Sequence, residues 1–268
     1  MGYRILFTDL DGTFLNSRSE ITDANRAAVR KLFAAGMQFA ICSGRSWRSL
    51  DYFEKILGLD APGRYGVAFN GSVVYETLSK KKLLDITMDN ETGVYAANTL
   101  QKHDIDILAY ANDSLYAVRE TENIVKYRDF SRLPVNFIRG FGEIKSGFTK
   151  LLAIGQNERL KEVVEAVSPL LKGRCDICFS SERLLEFAHP ESDKGSGMMF
   201  LAGYLGYSRD DIIAVGDHNN DLRMLAEAGL GIAVANAAAS ALEAADVTLD
   251  LTCDESAVGY VIDEWMLK

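Results

Sequence analysis

Phe7-Thr8-Asp9-Leu10-Asp11-Gly12-Thr13 decides how the rest of the chain is read. It grows out of Arg4-Ile5-Leu6-Phe7, a short apolar run of the kind that forms a buried parallel strand. Asp9 and Asp11 stand at i and i+2, so at strand spacing their carboxylates project the same way. The strand is ending there, and a turn at Gly12 can bring both around one small volume. Two like charges that close repel unless a cation or a proton sits between them. The plain alternative is a solvated β-turn, because Asp-Gly is an ordinary turn dipeptide.

Downstream, Thr22-Asp23-Ala24-Asn25 offers cap residues for a helix whose apolar stripe, Val29, Leu32 and Phe33, ends near Gly36. Met37 to Cys42 reads as the next strand, Ser43-Gly44-Arg45-Ser46 as its exit, and 46–57 as a helix. This β-α-β-α rhythm is that of a parallel sheet with helices on its faces. Gly66 to Phe69 and Val73 to Tyr75 flank Asn70-Gly71, a hairpin signal, and 83–86 reads as a further short strand. From about Asp89 the pattern changes. Helices over 92–102, 121–132 and 158–171 are interspersed with strands over 105–110, 115–118, 148–154, 176–179 and 184–187, while Pro134 and the glycines from Gly140 to Gly147 read as loops. After Asp193-Lys194-Gly195 the β-α alternation returns: a helix over 196–205, a strand over 212–215 ending in Gly216-Asp217-His218-Asn219-Asn220-Asp221, then further alternation to a last helix over 255–266. The simplest account is an α/β fold: a doubly wound, Rossmann-like parallel-sheet core from 1–83 and 188–268, with an α+β domain inserted over 84–187.

Bulk properties narrow the function. The 268 residues are 48% apolar and 25% charged, as in an ordinary globular protein, and the net charge of -9 argues against general nucleic-acid binding. No apolar run approaches membrane-spanning length, Arg4 is followed by only a short apolar run before Asp9, and Leu6 stands where a myristoylation signal needs Ser or Thr. The expectation is a cytoplasmic protein, a monomer or weak homodimer, without a nucleic-acid or membrane partner. Cys175-Asp-Ile-Cys178 has the spacing of half a zinc site or a redox pair, but no second pair lies at a matching distance, so buried or edge-strand thiols are expected. Asp217 to Asp221 fails as a calcium loop because Leu222 and Ala228 stand where Gly and Glu are needed. No Gly-x-x-x-x-Gly-Lys-[Ser/Thr] is present, and His103, His189 and His218 show no metal spacing.

In open α/β sheets ligands bind beyond the carboxyl ends of the strands. Four polar clusters fall at such ends or at a helix start: Asp9/Asp11, Ser43-Gly44-Arg45, Lys194-Gly195 and Asp217 to Asp221. Singly each has an ordinary reading, Ser43 as a helix cap and Lys194 as an exposed loop lysine. Together they supply carboxylates for a metal, donors for an oxyanion and a compensating cation.

In this order the clusters resemble the four motifs of the haloacid dehalogenase superfamily, and the long insertion between the second and third resembles its Cof-type phosphatase branch. The resemblance implies a Mg²⁺-dependent phosphatase acting on a small phosphorylated metabolite, such as a sugar phosphate. Asp9 would be the nucleophile, forming an aspartyl-phosphate, and Asp11 the acid and base. Asp9, Asp11 through its backbone carbonyl, and Asp217 would hold the metal, with Asp221 a ligand or a holder of metal-bound water. The Ser43 hydroxyl, the amides of Leu10, Asp11 and Gly44, and the Asn220 side chain would bind phosphoryl oxygens, with Lys194 neutralising charge. Arg45, Asn70 and Gly71 are candidates for substrate contact, although a helix-surface arginine and a plain hairpin turn are equally ordinary readings. The interval from Thr13 to Ser43 holds one helix and its strand, with no room for a helical lid, so the lid would be the 84–187 insertion. A phosphomutase, or a phosphometabolite sensor without catalysis, shares the same residues and stays open.

Overall fold

A computed structural model describes residues 2–268. The chain begins with β1 (Ile5–Thr8), α1 (Asp23–Ala34), β2 (Gln38–Ile41) and α2 (Trp47–Leu57). Both helices start where a side chain satisfies a free backbone donor: Thr22 accepts from the Asn25 amide and Ser46 from that of Ser49. A hairpin of β3 (Tyr65–Ala68) and β4 (Val73–Glu76) follows, with β5 (Lys82–Asp85) beside β4. The hairpin expected at Asn70-Gly71 forms, but through a wider turn in which Phe69, Asn70 and Gly71 all have positive φ, at 53°, 52° and 91°. Space explains Gly71: a Cβ there would stand 1.9 Å from the Asp193 carbonyl oxygen.

Internal contacts divide the chain into one unit that runs to Leu84 and resumes over Asp193–Lys268, and a second over Asp85–Ser192. The second unit contains α3 (Asn90–Leu100), β6 (Asp106–Ala111), β7 (Ser114–Ala117), α4 (Glu122–Ser131), β8 (Val135–Phe137), β9 (Lys150–Ile154), α5 (Asn157–Leu171), β10 (Asp176–Ser181) and β11 (Leu184–Ala188). Its sheet runs β10-β11-β9-β6-β7-β8. Asn112 and Asp113, at φ 48° and 57°, give the β6–β7 turn the doubly left-handed form that matches strand twist. β8 falls in the stretch between Pro134 and Gly140 that the sequence marks with loop residues. It is a three-residue edge strand pairing parallel to β7, too short to show a period. Leu100, Leu160, Val163 and Val167 of α3 and α5 pack on Ala109, Leu151, Ala153 and Phe187 of the sheet. Cys175 is buried, Cys178 lies on the edge strand β10, and all four thiols are free.

The first unit resumes with α6 (Lys194–Tyr204), β12 (Ile212–Gly216), α7 (Leu222–Glu227), β13 (Leu230–Ala233), α8 (Ala239–Ala244), β14 (Val247–Thr248) and α9 (Ala257–Val261). The last helix starts later than the sequence suggests, because Ser256 takes a left-handed conformation at φ 62°, and it continues as a π-helical turn over Ile262–Met266. The sheet order is β14-β13-β12-β1-β2, every pair parallel, and Cys42 beyond β2 bridges to Val67 of β3. Ile5, Phe7, Ala40, Ile212 and Ala214 form one apolar face under Met198, Leu201 and Leu225, and the intervening Leu6, Phe39, Ile41, Ile213 and Val215 are equally buried. Both faces are covered, as a parallel sheet requires. From β1 the chain winds outward one way to β2; from β12 it winds the other way to β13 and β14. The order therefore reverses between β1 and β12, and the crevice beyond their carboxyl ends is where such sheets bind ligands. Among the described residues no helix is long and apolar enough to cross a membrane.

Candidate active site

Asp9 leaves β1 at that reversal. Its amide still donates to the Val215 carbonyl at 2.9 Å, so the ladder fixes its backbone before the side chain turns into the crevice. Asp217 follows β12 directly. Lys194 opens α6, whose cap is Asp193, accepting from the Ser196 amide at 2.9 Å. Its side chain is fully buried, and Nζ donates to Asp9 Oδ1 and, at 2.7 Å, to Asp221 Oδ1. The other Asp221 oxygen, Oδ2, accepts from the amides of Asp217 and His218, each at 3.0 Å. Asp221 thus holds both the lysine and the loop that carries Asp217. His218, given no chemistry from the sequence, contributes its backbone donor.

The charges do not balance. Asp9, Asp217 and Asp221 each present a carboxylate oxygen, all within 4.8 Å of one another, and Lys194 is the ammonium bonded to two of them. Burial pushes the Asp9 carboxyl well above the ordinary range; Lys194 opposes this, while Asp221 and Asp217 push the same way. Burial likewise raises Asp217, a hydrogen bond from Thr13 opposes it, and Asp221 adds to the rise. Burial works against the charge on Lys194, but Asp221 and Asp9 outweigh it and raise its pKa. Three carboxylates against one ammonium leave two negative charges in a low-dielectric site, an arrangement that one divalent cation neutralises.

The donor set fits such an ion. Carboxylate oxygens are hard ligands that suit Mg²⁺, Ca²⁺ or Mn²⁺ and not a thiolate-seeking metal. Gly12, at φ 83°, lets the turn after Asp11 close over the cluster, since a Cβ there would lie 2.6 Å from Asp217 Oδ2. Thr13, quoted in the opening stretch but given no role from the sequence, is fully buried and its hydroxyl donates to Asp217 Oδ1 at 2.8 Å. Its signal was its place inside the opening stretch, a hydroxyl just past the glycine turn.

Asp11 does not join the buried cluster with its side chain. Its carboxylate points outward and accepts two bonds from Arg45, Nε to Oδ2 at 2.8 Å and Nη2 to Oδ1 at 2.6 Å. This fork geometry fixes the carboxylate plane. Ser43 lies just beyond β2, nearly fully buried; its amide donates to the Val67 carbonyl at 2.9 Å and its Oγ accepts from the Arg45 amide at 3.2 Å. Asn70, in the left-handed turn, accepts from Asn220 Nδ2 at 3.1 Å and approaches Gly44 so closely that a Cβ on Gly44 would stand 2.9 Å from its Oδ1. Gly71 packs on the start of α6. The positions singled out in the sequence at Asp9, Ser43, Gly44, Lys194, Asp217, Asn220 and Asp221 therefore meet in one unit at one sheet edge. Arg45, read as a candidate for substrate contact, is found on the Asp11 carboxylate.

Fold and site together define a doubly wound α/β enzyme with a carboxylate-rich centre at its topological switch point. Residues 6–262 match the profile of the haloacid dehalogenase-like hydrolases. A solved structure from Thermotoga maritima is 31% identical, with a TM-score of 0.87 and 97% of each chain covered. The 5-amino-6-(5-phospho-D-ribitylamino)uracil phosphatase YwtE of Bacillus subtilis (strain 168) is 28% identical over 282 residues, covering 96% of each chain. The pyridoxal phosphate phosphatase YbhA of Escherichia coli (strain K12) is 24% identical over 255 residues, 88% of this chain and 89% of the relative. The chain belongs to the haloacid dehalogenase-like hydrolase family, and the relatives it matches here are named as phosphatases.

Proposed function

We propose that the protein is a Mg²⁺-dependent phosphatase that hydrolyses a small phosphorylated metabolite, a sugar phosphate or similar compound, through an aspartyl-phosphate on Asp9. The observation that carries this reading is the Asp9 carboxylate itself. It is buried at the end of β1, bonded on one oxygen by Lys194 and crowded by Asp217 and Asp221, so it can stay ionised only with more positive charge beside it. Relatives named for phosphoribitylaminouracil and pyridoxal phosphate support a small phosphorylated substrate.

In the first step an Asp9 oxygen attacks phosphorus in line, the bond from phosphorus to the leaving oxygen breaks, and that oxygen takes the proton held by Asp11. In the second, the Asp11 carboxylate takes a proton from water as the water oxygen attacks the same phosphorus, releasing inorganic phosphate and the Asp9 carboxylate. Arg45 sets the direction of the Asp11 carboxylate through its two bonds. Lys194 neutralises Asp9 and the phosphoryl group in turn. The Ser43 hydroxyl and the amides of Leu10, Asp11 and Gly44 are donors to phosphoryl oxygens. Asn220 has a second amide hydrogen for the same purpose, the first being given to Asn70. Asp9, Asp217 and the Asp11 carbonyl would hold Mg²⁺, whose chemistry is to neutralise and orient the phosphoryl group. Asp221 has both oxygens engaged by protein donors, so its part is to hold Lys194 and the Asp217 loop. Residues 1–83 and 188–268 serve as catalytic core in this reading, and 84–187 as a cap that selects the substrate. A cytoplasmic setting accords with four free thiols.

The test is release of phosphate from p-nitrophenyl phosphate with and without Mg²⁺. Asp9→Asn is expected to lower turnover by at least about 10³-fold. Robust turnover by that variant, or binding of sugar phosphate with no hydrolysis by the wild type, overturns the proposal. A panel of phosphorylated metabolites then identifies the substrate.

A further inference from the structure

Lys194 and Asp221 come from two different segments, the start of α6 and the turn before α7, and their buried contact works only if those segments keep a fixed register. A second bridge joins the same two segments outside the buried cluster. Arg223, two residues beyond Asp221, donates through Nη1 to Asp193 Oδ2, and Asp193 is the residue immediately before Lys194. The same carboxylate caps α6, accepting from the Ser196 amide at 2.9 Å and the Ser196 hydroxyl at 2.7 Å. Arg223 is itself braced by Glu227, to which Nε donates at 2.7 Å. The backbone is shaped around the bridge: a Cβ on Gly195 would stand 2.7 Å from Arg223 Cγ. On its far side the Asp193 carbonyl is packed against Gly71. The start of α6 is thus clamped between the 69–72 turn and α7.

We infer that Arg223 and Asp193 are a positioning pair that sets where the Lys194 ammonium stands relative to Asp9 and Asp221. Neither side chain touches the reacting atoms. The pair is partly solvated, with Arg223 at 55% side-chain exposure and Asp193 at 28%, so its Coulombic contribution to stability is small. What it contributes is direction, by tying the residue before Lys194 to the helix after Asp221. Displacement of a charge at a reacting centre costs rate out of proportion to the energy of the contact that held it.

The inference rests on the phosphatase reading, and the experiment separates the two. Wild-type turnover of p-nitrophenyl phosphate with Mg²⁺ must first be present; its absence counts against that reading and not against the pair. Arg223→Gln is then expected to lower kcat about tenfold with KM within about twofold, while the urea midpoint stays at the wild-type value. Asp193→Asn keeps a good cap residue and loses only the charge, so it should match Arg223→Gln, and the double variant should be no worse than either single one. Arg223→Lys should recover most of kcat, as a cation that can still reach Asp193. A kcat unchanged in Arg223→Gln overturns the inference. So do additive losses in the double variant, or a loss of kcat that only follows a falling urea midpoint.

Discussion

Each unit buries a lysine on a carboxylate, and the two sites are built to opposite ends. In the second unit Lys150 of β9 donates to Glu186 of β11 at 2.9 Å, across neighbouring strands of one sheet, with its ammonium 5.4 Å from the Tyr110 ring centroid. In the first unit Lys194 stands between Asp9 and Asp221 with Asp217 close by, so a single ammonium faces three carboxylates. In both, burial opposes the lysine charge and the carboxylate partners more than restore it. The difference lies in what remains. Lys150 and Glu186 bring one charge of each sign to their contact, whereas the Lys194 cluster carries an excess of negative charge that has to be met from outside. A buried ion pair is weak evidence for stability; a buried cluster that does not sum to zero is evidence for a ligand.

The largest expected effect breaks the comparison on the unbalanced side. Lys194→Ala leaves three buried carboxylates with no protein cation. It is expected to abolish phosphatase turnover and to cost about 3–5 kcal/mol of stability in metal-free buffer. Added Mg²⁺ should restore part of the stability and none of the turnover, as read by thermal unfolding and phosphate release. Lys150→Ala should cost a similar 3–5 kcal/mol, about the usual penalty for orphaning a buried charge, but Mg²⁺ should restore nothing. The double variant Lys150→Met/Glu186→Leu removes both charges and should return to within about 1–2 kcal/mol of the wild type. Rescue of Lys150→Ala by Mg²⁺ would erase the distinction drawn here.

The next effect sharpens it. If the excess charge near Asp9 is met by a divalent ion, Mg²⁺ at 100 times its Kd should raise wild-type stability by about 2.7 kcal/mol. Asp217→Asn should lose most of that gain, and Lys150→Met/Glu186→Leu should keep it. Chelator should remove turnover reversibly. A thermal midpoint indifferent to Mg²⁺ in the wild type counts against a metal at this cluster.

The Lys150–Glu186 pair has its own signature in pH. Lys150 holds its proton more tightly in the folded protein than in the unfolded chain, because Glu186 outweighs the effect of burial. Its contribution is therefore complete below the ordinary lysine pKa, about 10.4, and is lost as pH rises through the higher folded value. Urea midpoints on either side of that value should fall in the wild type and fall less in Lys150→Met/Glu186→Leu. Equal falls in both would mean that other groups account for the alkaline loss.

Most of this architecture is legible in the sequence because it is built from strands with one dominant signal, an apolar run ending in a polar residue. Ile5 to Phe7 before Asp9, Phe39 to Ile41 before Ser43 and Ile212 to Val215 before Asp217 share that form. Their parallel pairing brings the polar ends together without any further instruction. What stays hidden is pairing that no local pattern encodes. Arg45 on Asp11 depends on how two loops from different strands meet, and Arg223 on Asp193 joins residues thirty positions apart. Asp221 is expected from the resemblance as a metal ligand or a holder of metal-bound water, yet its two oxygens take up Lys194 and two amides. The short strand Val135–Phe137 exists because β7 offers it an edge, and Ser256 delays the last helix by a backbone angle that Ser seldom adopts.

The smallest predicted effect concerns how well Asp217 is aimed. Thr13 Oγ1 donates to Asp217 Oδ1 at 2.8 Å from a fully buried position, just past the glycine that lets the turn close on that carboxylate. Thr13→Val keeps the shape and removes the donor, leaving the Asp217 oxygen without its orienting hydrogen bond. Groups that orient a metal ligand are worth about tenfold or more in affinity, so Mg²⁺ should bind Thr13→Val about tenfold more weakly by calorimetry. Thr13→Ser should stay near wild type, because the hydroxyl remains. Stability without metal should fall by about 1–2 kcal/mol, the usual cost of leaving a buried acceptor without its donor. At the Lys150–Glu186 pair a lost orienting bond would weaken an ion pair, whereas here it weakens the site for an ion that the pairing inside the unit leaves room to bind.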